Sequence, residues 1–322
     1  MSNYLQSVSF EENVSSLVIG TINGYKIIRL DSNAEPELIH EGVIAGGVKC
    51  ISRVCKSQFI IYVKRRTPNV FEIYHYGKDD MFLVQSYDEE IQTFLQNRGH
   101  IVVCFANRAI IYSTQFLKPI NILYGLPDNY YLTCKLSVTG ELALPDMPKA
   151  GQISLYDCCR NGYRNTTIRA HERPLAALGF NKDGSLLATA DENGIDIKVW
   201  EMRSGNELFH FKRGAWTASI NCLAFNRQSL YSCLTSDTKT VHLFKLTNED
   251  SGNWFQMFML GNARDSLVKA YLPQNGLRSY CDIGEQNGNH RLFVVSSDRK
   301  LRIFSFDEQN GGTAICNHTV DF

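Results

Sequence analysis

Two adjacent cations stand at Lys212 and Arg213, in the run Phe211-Lys212-Arg213-Gly214 between the segments NELFHF and SINCLAF. On an extended connection, neighbouring side chains point in opposite senses, so each cation can serve a separate pocket. Ser236, Thr240 and His242 follow shortly after. A planar guanidinium fork, two hydroxyls and an imidazole form a donor set suited to a phosphorylated headgroup. That chemistry is recognition, not bond breaking. Taken alone, the four-residue run reads equally well as a solvated turn.

Catalytic signatures are absent from the sequence. It has no Gly-x-x-x-x-Gly-Lys-Ser/Thr, no Gly-x-Gly-x-x-Gly, no Gly-x-Ser-x-Gly and no His-Glu-x-x-His. His171-Glu172 begins like the last but continues Arg173-Pro174-Leu175. The histidines show no ligand spacing, and the ten cysteines contain no Cys-x-x-Cys. Asp79-Asp80 and Glu89-Glu90 read as solvated loop charges. We therefore expect no enzyme, no metal and no cofactor.

The elements that must position these residues repeat. AIIY ends at Tyr112, ISLY at Tyr156, IDIKVW at Trp200 and TVHLF at Phe244, each 44 residues after the last. In each, the residues three before and one before the aromatic are apolar, the alternation of a strand with one buried face. FEIY ending at Tyr74, LRIF ending at Phe304 and a weaker YKII ending at Ile28 complete seven copies. Four short strands with turns need about 40–45 residues, the size of a WD-type blade. Turn residues such as Asn23-Gly24 and Asn193-Gly194 fall between the apolar runs. The expected fold is all-β: one seven-bladed β-propeller of four-stranded antiparallel blades, spanning 1–322 as a single domain. The stretch 87–97 is either a short amphipathic helix or a strand.

The last interval, from Phe244 to Phe304, is 60 residues, 16 longer than the repeat. The extra length falls at about 247–266. Its centre, Trp254, Phe255, Met257, Phe258, Met259 and Leu260, is strongly apolar between polar flanks. On a propeller edge such a patch faces a membrane or a partner, unless it folds back onto its blade.

Bulk properties narrow the partners. Thirty-three basic and 33 acidic residues give zero formal charge, which argues against coating nucleic acid by bulk electrostatics. No run approaches the 18 apolar residues of a spanning helix. A polar N-terminus and scattered cysteines read as a reduced, cytoplasmic chain.

These residues together resemble the PROPPIN family, seven-bladed propellers that bind polyphosphoinositides and act in autophagy. The resemblance covers essentially the whole chain and is strongest from Gln152 to Phe244. There QISLYD, IRAHERPLAALGFNKDGSLLATADENG, FKRG, SINCLAF and SDTKTVHLF follow the family order. The family hallmark, Phe/Leu-Arg-Arg-Gly, reads Phe211-Lys212-Arg213-Gly214 here. The resemblance implies binding of phosphatidylinositol 3-phosphate or 3,5-bisphosphate, with no cofactor. It assigns Arg213, Ser236, Thr240 and His242 to a main pocket on blade six. It assigns His171, Thr189, Lys198 and Lys212 to a weaker one on blade five, and the 247–266 insertion to the bilayer.

Blade five departs from the pattern. Lys212 and Lys198 replace arginines, Asp191 stands where a serine is usual, and Ile195 where a threonine is usual. A carboxylate beside a phosphate is repulsive unless neutralised, so this pocket is expected to be weak, or structural through an Asp191–Lys212 pair. The resemblance also implies a peripheral monomer on autophagosome precursors and endosomes. An autophagy lipid-transfer protein would dock near Arg65 and Arg66, in Lys64-Arg65-Arg66-Thr67-Pro68. A propeller that binds only proteins, its lipid site decayed, is the competing reading.

Overall fold

Each of the seven repeats forms the third strand of its own sheet: Gly24–Arg29, Val70–His75, Ala109–Ser113, Gln152–Asp157, Asp196–Glu201, Thr240–Lys245 and Lys300–Ser305. A computed structural model describes residues 4–11, 14–30, 35–115, 117–146, 151–160, 163–246 and 263–322. Among the described residues the sheets are seven blades, each with four antiparallel strands. The apolar positions that define the repeat are buried in blades three to six: Ala109 and Ile111, Ile153 and Leu155, Ile197 and Val199, Val241 and Leu243. Each large aliphatic so buried contributes about 1.5–3 kcal/mol of transfer free energy. The stretch 87–97 ends in the strand Thr93–Gln96.

First strands of neighbouring blades touch one another and line the inside of the ring. Fourth strands lie outside, and those of blades one and two are largely exposed. Among the described residues the ring closes between blade one and blade seven without a shared strand. Leu5, Leu17 and Ile19 pack with Phe293, Val295 and Leu301 in one buried cluster. The Gln286 amide donates to the Leu30 carbonyl at 3.0 Å, and the Arg299 guanidinium sits 4.0 Å over the Tyr4 ring. Closure thus rests on side-chain packing across the seam.

Blade six carries the insertion, between Thr240–Lys245 and its fourth strand, Val268–Tyr271. Trp254, Phe255, Met257, Phe258, Met259 and Leu260 lie outside the described residues. The returning limb does not go straight to blade six. Arg264–Asp265 first adds a parallel fifth strand to blade five, with Arg264 opposite Phe211 and Asp265 opposite Lys212. Gly312–Thr313 does the same for blade six, alongside Val268 and Lys269.

Candidate functional site

The site begins with a turn. The carboxylate of Asp191 accepts the backbone N–H groups of Asn193 (3.1 Å) and Gly194 (3.2 Å), closing the hairpin between the second and third strands of blade five. Gly194 has φ of 59°, and a Cβ there would lie 2.2 Å from the Ala218 carbonyl oxygen. Only glycine lets the blade-five turn and the 212–220 connection approach this closely. The Ala218 N–H then donates to Asn193 O at 3.0 Å, holding the connection in place.

Arg213 is fastened at this junction. Its backbone N–H donates to Ile195 O at 2.8 Å. Its Nε donates to Gly194 O at 2.6 Å, and one terminal nitrogen donates to Trp216 O. The residue is only 7% exposed. Among the described residues no carboxylate oxygen lies within 4.0 Å of the guanidinium. Burial pulls its pKa down and the nearby Asp237 partly offsets this. Arginine nonetheless stays protonated. The result is a positioned, buried cation with donors to spare and no paired anion, which is costly unless an anion arrives.

Blade six supplies the rest of the pocket. Ser236 ends its second strand, and Thr240 begins its third. Leu234 pairs with His242 across the ladder, so the period of two places Ser236, Thr240 and His242 on one face. Ser236 is fully buried, its hydroxyl 2.9 Å from that of Thr238. His242 is 4% exposed. Burial, then Arg213, then Lys269 push its pKa down to about 3. The imidazole is therefore neutral at pH 7. Its Nδ1 lies 3.2 Å from the Ser266 hydroxyl, and its ring stacks on Phe244 with centroids 6.2 Å apart.

The expected blade-five set is not gathered in the same way. Thr189 is completely buried and acts as a hub. His171 Nε2 lies 2.9 Å from its hydroxyl, and Trp200 Nε1 donates to it at 3.0 Å. Burial lowers the pKa of His171, and Asp191 opposes that. Lys198 is ion-paired with Glu207 at 3.1 Å and lies 5.6 Å over the Trp200 ring. His210 meets Asp196 at 2.9 Å. Lys212 points to solvent while Arg213 is buried, the opposed orientation expected of extended chain. Asp191 does not form the anticipated pair with Lys212, because its carboxylate caps its own turn. Ile195 serves through its carbonyl, which holds the Arg213 N–H.

Other charges also find roles. Glu89 pairs with Arg108 at 2.9 Å and Glu90 with Lys49 at 2.6 Å, so this doublet is not simply solvated. Arg65 and Arg66 are exposed on the blade-two hairpin, the Arg66 stem lying over Gly46.

Three neighbours of the blade-six pocket escape motif reading. Ser266 sits at the end of what reads as insertion. Lys269 lies across the ladder from His242. Trp216, 85% exposed, stands on the connection that holds Arg213. Only the rarity of tryptophan, three in the chain, marks the last.

A family model described as PROPPIN matches residues 4–321. The chain is 31% identical to human WD repeat domain phosphoinositide-interacting protein 1, over 97% of this chain and 75% of the relative. It is 27% identical to Autophagy-related protein 18 of Caenorhabditis elegans, over 90% of this chain and 73% of the relative. The solved structure of Hsv2 from Kluyveromyces lactis superposes with a TM-score of 0.81 at 18% identity, covering 98% of each chain.

Proposed function

The chain belongs to the PROPPIN family, and from that premise we propose that it is a non-enzymatic membrane effector that reads a phosphoinositide headgroup through blade six. The observation that carries this reading is Arg213, a buried guanidinium whose charge, like that of Lys269, acts on His242, and which has no carboxylate at contact distance among the described residues. A phosphate monoester supplies the missing anion. Charge-assisted hydrogen bonds of this kind contribute about 1.5–3 kcal/mol each.

The headgroup we assign is that of phosphatidylinositol 3-phosphate or 3,5-bisphosphate. Blade five contributes little affinity, because Thr189 and His171 bond within the blade and Lys198 is matched by Glu207. The apolar 247–266 insertion and the exposed Trp216 enter the interfacial region of the bilayer, where tryptophan is favoured. Two weak attachments on one rigid body then act together. On membranes of autophagosome precursors and endosomes the bound propeller recruits autophagy proteins, among them a lipid-transfer protein at the Arg65–Arg66 hairpin.

Liposome flotation across the phosphoinositide series, with wild type and Arg213→Ala, tests this. Flotation should require a 3-phosphorylated lipid and Arg213. Binding that ignores lipid identity would instead favour a protein-only scaffold, the reading to which the internally bonded blade-five residues lend support.

A further inference from the structure

The groove between blades one and two holds a cleft of about 420 Å³, walled by Tyr25, His40, Tyr62, Tyr74, Tyr76 and Asp79. By blade order it lies across the ring from the blade-five and blade-six junction. The Tyr25 hydroxyl and His40 Nδ1 are 3.2 Å apart. The His40 ring stacks near-parallel to Tyr25 and lies 4.8 Å from the Tyr76 centroid. The Tyr74 hydroxyl donates to the Asp79 carboxylate.

The charge of this cleft is set by its carboxylates. Three of the phenols are held neutral: burial raises the pKa of Tyr25 and Tyr62, and the bond to Asp79 pushes Tyr74 up to about 12. Asp79 and Glu41 both line the cleft, with Glu72 opposite Tyr62 in the ladder. The cations nearby are Lys26, bridged to Glu41 at 3.3 Å, Lys64, bridged to Glu72 at 3.0 Å, and Arg53, which lies 5.9 Å from the Tyr76 centroid and is bridged to Glu11 at 3.5 Å. Asp79 has no basic partner within 4.0 Å among the described residues. An anion is therefore disfavoured here.

The lip is kept open by Gly42, where a Cβ would lie 2.5 Å from the Tyr25 ring. Beside it stands the exposed apolar side chain of Val43, at 90%. Aromatic walls, an exposed carboxylate at the edge and an apolar rim match a planar cation carried on a protein surface. Guanidinium stacks on phenol faces and gives a carboxylate two parallel hydrogen bonds, which an ammonium does not.

We propose that this cleft captures an arginine side chain presented by a protein partner. The test uses the full chain and Nα-acetyl-arginine methylamide, followed by tyrosine ring shifts in NMR titration. The citrulline analogue, of the same shape but uncharged, is the control. Arginine should shift the cleft tyrosines saturably and citrulline should not. Asp79→Asn should weaken arginine binding about tenfold, the loss of one charge-assisted contact. Gly42→Val should close the lip and abolish it. Should the Gly42 variant fail to fold, Asp79→Asn carries the test alone. Equal binding of citrulline, or unchanged binding to Asp79→Asn, overturns the proposal. Tighter binding of phosphocholine than of arginine overturns it in favour of a lipid headgroup.

Discussion

The hydroxyl of Ser266 lies 3.2 Å from Nδ1 of His242. Ser266 ends the limb that returns from the blade-six insertion, and His242 belongs to the proposed headgroup pocket. Two residues earlier the same limb pairs Arg264 with Phe211 and Asp265 with Lys212. The root of the apolar insertion is thus tied both to the hallmark strand and to the pocket. The proposed headgroup pocket and the described root of the insertion thus share one packed unit, which is the condition for one attachment to raise the effective concentration of another.

A negative charge at position 266 should therefore disable the pocket. Ser266→Asp places a carboxylate where phosphate is expected and should reduce flotation on 3-phosphorylated lipid by more than about tenfold. Ser266→Ala removes one hydroxyl and should cost less. Equal flotation of Ser266→Asp and wild type would separate the insertion root from headgroup binding.

The two hallmark cations should not behave alike. Arg213 is buried and held by three carbonyls, whereas Lys212 faces solvent. Exposed ionic contacts are worth about 0–1 kcal/mol, so Lys212→Ala should lower lipid affinity only a few-fold. Arg213→Ala should remove it, with the melting temperature checking that the fold persists. The reverse ranking in a sedimentation series would sink the blade-six assignment.

The low pKa of His242 makes a prediction about stability. Folded, it stays neutral down to about pH 3, because of burial, Arg213 and Lys269. Unfolded, it takes up a proton as pH falls through about 6.5. The unfolded chain then binds more protons, so stability is full above that value and is lost as pH falls from about 6.5 toward 3. Between pH 6.5 and 5 the loss from this residue is about 2 kcal/mol. His171 has the same sign, so His242→Asn should remove part of the slope of the urea midpoint against pH. A variant with the wild-type slope would show that His242 is not the titrating group.

The insertion is expected to be a membrane contact on its composition. Glutamate at Trp254 and Phe258 replaces apolar area worth about 25 cal/mol per Å² on burial with charge. Liposome binding should fall while the circular dichroism spectrum is unchanged. Unaltered sedimentation with liposomes would remove the insertion from the mechanism.

The third strands were legible because an aromatic with apolar residues one and three before it recurs at 44-residue intervals, a pattern local to each strand. Edge additions such as Arg264–Asp265 have no such signature, since two residues pairing with a distant strand leave no period. The seam between blades one and seven is likewise a tertiary fit of ordinary aliphatics. At the site, residue types marked Arg213 and His242 as candidate phosphate donors. Burial of one cation and exposure of its neighbour depend on a glycine turn in another hairpin. Asp191 was visible as a carboxylate in place of a hydroxyl, but its capping of Asn193 and Gly194 depends on backbone geometry. Ser266 was hidden because it falls in apparent insertion.

The geometry of the pockets depends on the ring staying rigid, and one ion pair bears on that. Lys182, on the first hairpin of blade five, reaches past blade six to Asp282 on the first strand of blade seven, at 2.7 Å. Asp282 is 4% exposed. Burial raises its pKa and Lys182 works against that. Removing one partner leaves the other charged and poorly solvated, which costs about 3–5 kcal/mol for fully buried pairs. Lys182 keeps some water, so Asp282→Asn should cost about 3 kcal/mol or slightly less. Replacing both, as Lys182→Met with Asp282→Leu, should recover most of it, because desolvation of both charges disappears too. Guanidinium denaturation of the two variants measures the difference. A single variant within about 0.5 kcal/mol of wild type would mean that packing alone holds blades five to seven together.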